Sequence, residues 1–363
     1  MRQHLYNLVK HMPMNRPKWP ESGRGSPDHL LALQRLATSN LVISVTRRCP
    51  LRCAHCIVSS APDVAGGTLT VEQAQSWARQ LPKLKEAGVR HLTFTGGEPT
   101  LALKAIRVLA ESCSSLGITT AVVTSGVWAT APAVATHIVE QLRAVSNWDL
   151  GYDTYHAPEM PFERFQQAVE ALKSSATSFS VRVCVDTPLS ATDAEICGRL
   201  RDLAGPDVTI LQQSVRHIGR ATSLSRQASD EWQFPAEPCI TSGPFIREDG
   251  SMGPCCSGLA HEARGRHPLE FGNVNDDGLV ACRERWLSDP LLRMLRLFGF
   301  AVPLQWIKEA GLKLPSVELP NNVCELCVSL WDSEGTLGHF LRERASGREV
   351  AAQLDRFEDY LFR

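Results

Sequence analysis

Residues 48–57 read Arg-Cys-Pro-Leu-Arg-Cys-Ala-His-Cys-Ile, which puts Cys49, Cys53 and Cys56 on one short loop with spacers of three and then two residues. The odd number of thiols constrains this chain more than any other feature. A structural zinc or an ordinary ferredoxin site takes four protein ligands, whereas three thiolates on a cubane iron-sulfur cluster leave one iron open for a substrate or cofactor. A disulfide framework fits poorly, because the loop holds three cysteines and no export signal is legible. The twelve cysteines of the chain point instead to metal sites or buried thiols in a reducing compartment, so a cytoplasmic protein is expected.

The first two-thirds alternates strand and helix patterns. Strands are expected over 41–46, 90–95, 120–124, 148–151, 178–186 and 208–212, from short apolar or alternating runs. Three-and-four apolar spacing predicts helices over 70–87, 104–116, 133–142, 162–174 and 193–203. Six such units in series predict an α/β fold, a parallel sheet with helices outside and sites on the loops leaving the carboxyl ends of its strands. The formal net charge of −1 gives no electrostatic argument for nucleic acid or a membrane surface as partner. No apolar run approaches the ~18 residues that span a bilayer.

The loop Cys49-x3-Cys53-x2-Cys56, placed directly after the first strand, resembles the signature of the radical S-adenosylmethionine (SAM) superfamily. That resemblance implies a partial (β/α)6 TIM-like barrel and a 4Fe-4S cluster held by these three cysteines, with SAM chelated at the open iron. Thr95-Gly96-Gly97-Glu98-Pro99 follows the second strand and is similar to the family's GGEP motif, which implies that Gly96, Gly97 and Glu98 hold the SAM amino group. Ser125, in Thr124-Ser125-Gly126 after the third strand, is a candidate for the SAM carboxylate or ribose. His55 stands where the family places an aromatic ring near the adenine, the alternative being a solvent-facing loop histidine. Asp153 falls at the acid of the family's SxD motif, although Gly151 replaces the serine. Arg216-His217-Ile218-Gly219-Arg220-Ala221 after the sixth strand resembles the GRA segment.

In the fifth strand Phe179, Val181, Val183 and Val185 alternate with Ser180, Arg182, Cys184 and Asp186. The valine face meets the helices, so Arg182, Cys184 and Asp186 are expected to point into the barrel. A thiol there can donate a hydrogen atom; a small buried core cysteine is the competing reading. Cys113 and Cys197 read as core. After the fourth strand, Tyr152, Asp153, Tyr155 and His156 suit a polar substrate, with helix capping or plain surface exposure as the alternative for His156.

Beyond Pro235 the alternation stops. Cys239, Cys255, Cys324 and Cys327, with an Asp249-Gly250 turn between the first two, resemble the shortened SPASM, or twitch, domain, which implies one auxiliary 4Fe-4S cluster; a zinc site is the alternative. Cys256 and Cys282 are left over. Trp286 to Arg296 reads as a packing helix, and 333–363 as a helical tail. The divisions expected are an irregular arm at 1–38, the barrel at 39–235, a small cysteine-rich twitch domain at 236–332 and the tail.

The resemblance implies an enzyme in which SAM yields a 5'-deoxyadenosyl radical that removes a substrate hydrogen, reduced by a flavodoxin- or ferredoxin-type donor. The first substrate expected is a small polar molecule, a sugar or aminocyclitol carbon, epimerised with Cys184 as hydrogen donor and Arg182 beside it. Dehydrogenation of the same substrates and maturation of a ribosomally made peptide are the alternatives. A non-catalytic iron-sulfur carrier has no use for a SAM pocket.

Overall fold

Six parallel strands rise in chain order, β1 (Asn40–Ser44), β2 (His91–Thr95), β3 (Thr119–Thr124), β4 (Asn147–Gly151), β5 (Phe179–Val185) and β6 (Ile210–Ser214), each paired with its neighbours in sequence. This computed structural model describes residues 27–186, 188–225, 238–257, 259, 267–313, 323–331 and 335–362. Helices α1 (Pro27–Ser39), α2 (Val71–Ala78), α3 (Leu81–Glu86), α4 (Leu103–Ser115), α5 (Pro132–Gln141), α6 (Phe162–Ser174) and α7 (Ala191–Ala204) precede or connect the strands. The result is the parallel α/β sheet with outer helices that the alternation predicts, curved into the partial barrel that the family resemblance implies. It does not close: the short hairpin β7 (Phe245–Ile246) and β8 (Met252–Gly253) joins the open edge, β7 running parallel to β1.

Side-chain alternation sets the two faces of each strand. Leu41 and Ile43 of β1, Leu92 and Phe94 of β2, Trp148 and Leu150 of β4, and Val181 and Val183 of β5 share one buried core with helix residues such as Trp77, Ile106, Leu109 and Phe165. Their neighbours therefore face the lumen, among them Val42, Thr93, Asp149, Arg182 and Cys184. On α4 the buried set Ala105, Ile106, Leu109, Ala110 and Cys113 follows helical spacing, which confirms Cys113 as core, and Cys197 of α7 is buried likewise.

The differences from expectation are local. The arm expected at 1–38 is helical over 27–38, within α1; residues 1–26 lie outside the described residues. The helix expected over 70–87 is two, because Pro82 sits in the first turn of α3 and the chain bends at Arg79-Gln80. Thr70 caps α2 in a capping box with Gln73. The sixth strand begins two residues later than its apolar run.

After the hairpin come α8 (Leu279–Ser288), α9 (Pro290–Phe298), α10 (Ala301–Glu309), α11 (Val323–Leu330), α12 (Thr336–Ala345) and α13 (Arg348–Phe362). Trp286, Leu291, Leu295, Leu330, Leu341 and Leu354 carry the barrel's helix-side core into this region without a break, and Cys282 is buried within it. No helix among the described residues is long and apolar enough to cross a membrane.

His267, whose ring accepts the Leu269 N–H at 3.1 Å, is buried here, and burial holds it down at about 4, with Arg247 and Arg342 adding to the effect. Because the unfolded chain takes up the proton first, stability present above the ordinary value of 6.5 is lost as pH falls toward 4. Urea unfolding is expected to show about 2 kcal/mol lost between roughly pH 7 and pH 5 from this group. His267→Gln should remove that share of the slope.

Candidate active site

The three-cysteine loop leaves β1 and is locked against the loop after β2. Gly97 N–H donates to the Thr46 carbonyl at 2.7 Å and Glu98 N–H to that of Arg48 at 2.9 Å. A Cβ on Gly97 would lie 2.1 Å from the Arg48 carbonyl oxygen, so the close approach admits only glycine. The carboxylate of Glu98, 1% exposed, accepts from the Thr124 hydroxyl at 2.7 Å, from the Thr100 hydroxyl at 2.8 Å and from the Ser125 hydroxyl at 3.0 Å. Gly96, Gly97, Glu98 and Ser125 thus lie together beside the cysteines, Glu98 buried and its oxygens already engaged, the other three partly exposed.

A third strap comes from the end of β6. Arg220 N–H donates to the Cys56 carbonyl at 3.0 Å, and its guanidinium donates to the Cys53 carbonyl at 2.9 Å and the Ser60 carbonyl at 2.5 Å. Gly219, at φ +62, packs where a Cβ would meet the Ile57 carbonyl at 2.5 Å. The three cysteine side chains interact electrostatically, and burial pushes the Cys49 thiol up to about 12. Buried thiols without a cation stay protonated, and the positive charge of a bound iron centre reverses that. Three thiols held this way fit a cluster that keeps one iron open.

Asp153 organises the opposite wall. Its Oδ1 accepts from the backbone N–H groups of Tyr155 and His156, each at 3.0 Å, and from His156 Nδ1 at 2.8 Å; its Oδ2 accepts from the Cys184 N–H at 3.1 Å. Burial alone would raise this carboxyl, but the charge and hydrogen bond of His156, with His55 and the Cys184 N–H, hold it down at about 2. Burial likewise opposes the charged form of His156, and the adjoining carboxylate overrides it, lifting the ring to about 10. The same ring hydrogen-bonds the Cys53 thiol. His156 is therefore not a surface residue: it joins the Asp153 wall to the cysteine loop. The signal available in the sequence is an acid and a histidine three residues apart at the carboxyl end of a barrel strand.

His55 is also inside the site and not on the solvent face. Its Nε2 lies 3.7 Å from Asp153 Oδ2, its ring centroid 5.0 Å from Tyr155 and 4.8 Å from His156, and burial pushes it down to about 4. Its Nδ1 is buried without a partner among the described residues.

Arg182 and Cys184 point into the lumen as the strand alternation predicts. Arg182 pairs with Asp149 of β4 and donates to Gln213 Oε1 at 3.2 Å; Gln213 Nε2 in turn lies 3.2 Å from Cys184 Sγ. Burial pushes the Cys184 thiol up to about 12, with the Asp153 charge adding to it. The thiol stays in its S–H form at neutral pH, the form that can donate a hydrogen atom. The sequence singles out no second lumen thiol, yet Cys256 packs on Val42 and Phe245, lies 3.1 Å from the Ser242 hydroxyl and interacts electrostatically with Arg182.

Cys239, Cys255, Cys324 and Cys327 converge behind this wall. Burial raises all four thiols; Cys239, Cys255 and Cys327 are further raised by others of the group, and Cys324 by Cys256 and Glu325 against Arg216. Arg216, leaving β6, donates to Cys324 Sγ at 3.1 Å and ties the group to the barrel. Among the described residues, the one set of His, Cys, Asp or Glu donors within 4.8 Å of one another is His55, Asp153 and Cys184. Neither cysteine group is thus drawn as close as a tetrahedral zinc would hold it, at about 3.8 Å between thiolates for ~2.3 Å Zn–S bonds.

Residues 43–185 match the radical SAM superfamily. Over 314 residues the chain is 24% identical to the putative peptide biosynthesis protein YydG of Bacillus subtilis, covering 82% of this chain and 93% of that protein. It is 37% identical to the PqqA peptide cyclase of Bradyrhizobium diazoefficiens over 87 residues, 24% of this chain and 22% of the cyclase. Among solved structures, native anSMEcpe with bound AdoMet superposes with a TM-score of 0.51 at 14% identity, over 87% of this chain and 99% of that one, a likeness of fold.

Proposed function

We propose that this radical SAM enzyme acts on a peptide, removing a hydrogen from a carbon of the chain and returning one to its other face. The observation that carries the reading is a protonated lumen thiol, Cys184, set between the polar wall of Arg182, Gln213 and Asp149 and the site of His55 and Asp153. The sequence alone favours a sugar carbon. Similarity over 82% of the chain to a protein named for peptide biosynthesis moves the peptide reading ahead of it.

Cys49, Cys53 and Cys56 would hold the cluster, with Gly96, Gly97, Glu98, Ser125, His55 and Asp153 around SAM. When bound, the pair supplies a 5'-deoxyadenosyl radical able to take a hydrogen atom from the substrate. Asp153 fixes the Cys184 backbone and the His156 ring, so the thiol is held in place relative to the cysteine loop. Donation from its S–H forms the new C–H bond and leaves a sulfur radical; one electron from a flavodoxin- or ferredoxin-type donor and one proton restore the thiol. The second lumen thiol, Cys256, is the alternative donor, favoured by its position on the opposite wall against Val42 and Phe245. Cys184→Ala is expected to stall formation of the epimer with SAM still cleaved; a normal epimer from this variant and none from Cys256→Ala assigns the step to Cys256.

Cys239, Cys255, Cys324 and Cys327 would hold an auxiliary cluster. The reconstituted protein is expected to bind about eight irons, and Cys327→Ala about four; four in both would remove the auxiliary cluster. The substrate class is tested by offering the enzyme, reconstituted without oxygen and supplied with dithionite and SAM, the short peptides encoded beside its gene and a panel of aminoglycosides. Conversion of a peptide supports the reading; conversion of an aminoglycoside alone restores the sugar.

A further inference from the structure

Resting on the peptide reading, we propose that Asp149 anchors the substrate, accepting a hydrogen bond from a nitrogen donor, a backbone N–H or an ammonium group, placed about four residues along from the reacting carbon. Asp149 is on β4 between Trp148 and Leu150, both in the helix-side core, so its carboxylate faces the lumen. Oδ2 takes the Arg182 guanidinium, with Nε at 3.1 Å. Oδ1 is buried and has no partner among the described residues, although the Asp149 side chain is only 9% exposed. A carboxylate oxygen left bare in such a place has given up water without a replacement, and native proteins seldom leave one so.

The surroundings show what is missing. A cavity of about 580 Å³ at the amino-terminal mouth of the barrel reaches Asn40, Thr93, Ala121 and Asn147, and Asn147 is one lumen-facing position before Asp149. The polar groups lining it are already engaged: Asn40 Nδ2 donates to the Ser242 carbonyl at 2.7 Å, Thr93 donates to Asn40 Oδ1 at 3.2 Å and Ser178 to Asn147 Oδ1 at 3.0 Å. Oδ1 of Asp149, one lumen-facing position further along β4 than the lining residue Asn147, is the acceptor that has no partner among the described residues. Beside it the Arg182 side chain is 38% exposed and offers donors. An acceptor next to a donor is what the N–H and C=O along one edge of an extended peptide require.

The spacing follows from the sheet. Asp149 is in register with Ser180, and Cys184 is four residues further along β5, about 13 Å at ~3.3 Å per residue. An extended peptide covers that span in about four residues. Asp149 therefore reads a part of the substrate remote from the thiol, and it sets affinity and register while Cys184 does the chemistry.

The test uses the full-length reconstituted enzyme and the peptide it converts, N-methylated in turn at each of the residues flanking the modified one, with wild type compared with Asp149→Asn. One N-methyl position is expected to raise the KM of wild type about tenfold, a loss of one hydrogen bond to a charged acceptor. In Asp149→Asn the unmethylated peptide should already show that rise, and methylation at the same position should add nothing. Equal methylation penalties in the two proteins, or an unchanged KM in the variant, would overturn the proposal and leave Oδ1 to a bound water. If the variant does not fold, by circular dichroism and cluster absorbance, the scan on wild type decides, and no sensitive position overturns the proposal. A wild type that converts no peptide fails the functional reading itself, which is a different outcome from a converted peptide that ignores Asp149.

Discussion

Cys53→Ala is expected to abolish reductive cleavage of SAM and to cost the chain about four irons, while Cys113→Ala leaves both unchanged. The two residues are chemically identical and differ in setting. Cys113 is enclosed by the apolar face of α4, whereas Cys53 is one of three thiols on a loop strapped by Gly97, Glu98 and Arg220. With two thiolates in place of three, the cluster would lose one of its protein ligands. His156 would lose its sulfur partner in the same variant. Iron analysis together with chromatography of 5'-deoxyadenosine checks both halves; retention of full cleavage by Cys53→Ala would show that the loop does not hold the cluster.

Asp153→Ala is expected to destabilise the protein by about 3–5 kcal/mol, because it strands a buried charged histidine. Three backbone N–H groups lose their acceptor as well, including that of Cys184. The pH dependence has a definite sign. The Asp153 carboxyl is depressed from 3.8 to about 2, so its contribution is present above 3.8 and is lost as pH falls through 2. His156 is raised from 6.5 to about 10, so its contribution is present below 6.5 and is lost as pH rises through 10. The stability gap between wild type and Asp153→Asn, measured by urea unfolding of the cluster-free protein, should be widest between those two ordinary values and should narrow toward about pH 10. A gap that is flat across this range would mean that the pair is not ionised.

The barrel was legible because its signals are local. Period-two alternation in 179–185 placed Arg182 and Cys184 in the lumen, and the structure agrees. The cysteine spacing and Gly96-Gly97-Glu98 are short-range patterns set by close backbone approach, which leaves its mark as glycine. His156 was harder to place, since its burial depends on Asp153 and on Cys53, a residue about a hundred positions earlier in the chain. Asp149 and Cys256 were missed for a similar reason. Asp149 sits in a strand whose two apolar neighbours draw attention, and its bare oxygen exists only once Arg182 has claimed the other. Cys256 follows a candidate ligand and reads as surplus until the hairpin docks on β1 and brings it against Val42. The helix over 27–39 escaped notice behind a proline-rich arm, although Pro27 is well suited to a first helical turn.

The central claim, hydrogen removal from a peptide and return from a thiol, is tested most directly by running the reconstituted enzyme with SAM, dithionite and its peptide in deuterium oxide. Exchangeable S–H becomes S–D, so the account predicts a product with one carbon-bound deuterium at an inverted centre. A product lacking two hydrogens and carrying no deuterium would contradict it and make the enzyme a dehydrogenase.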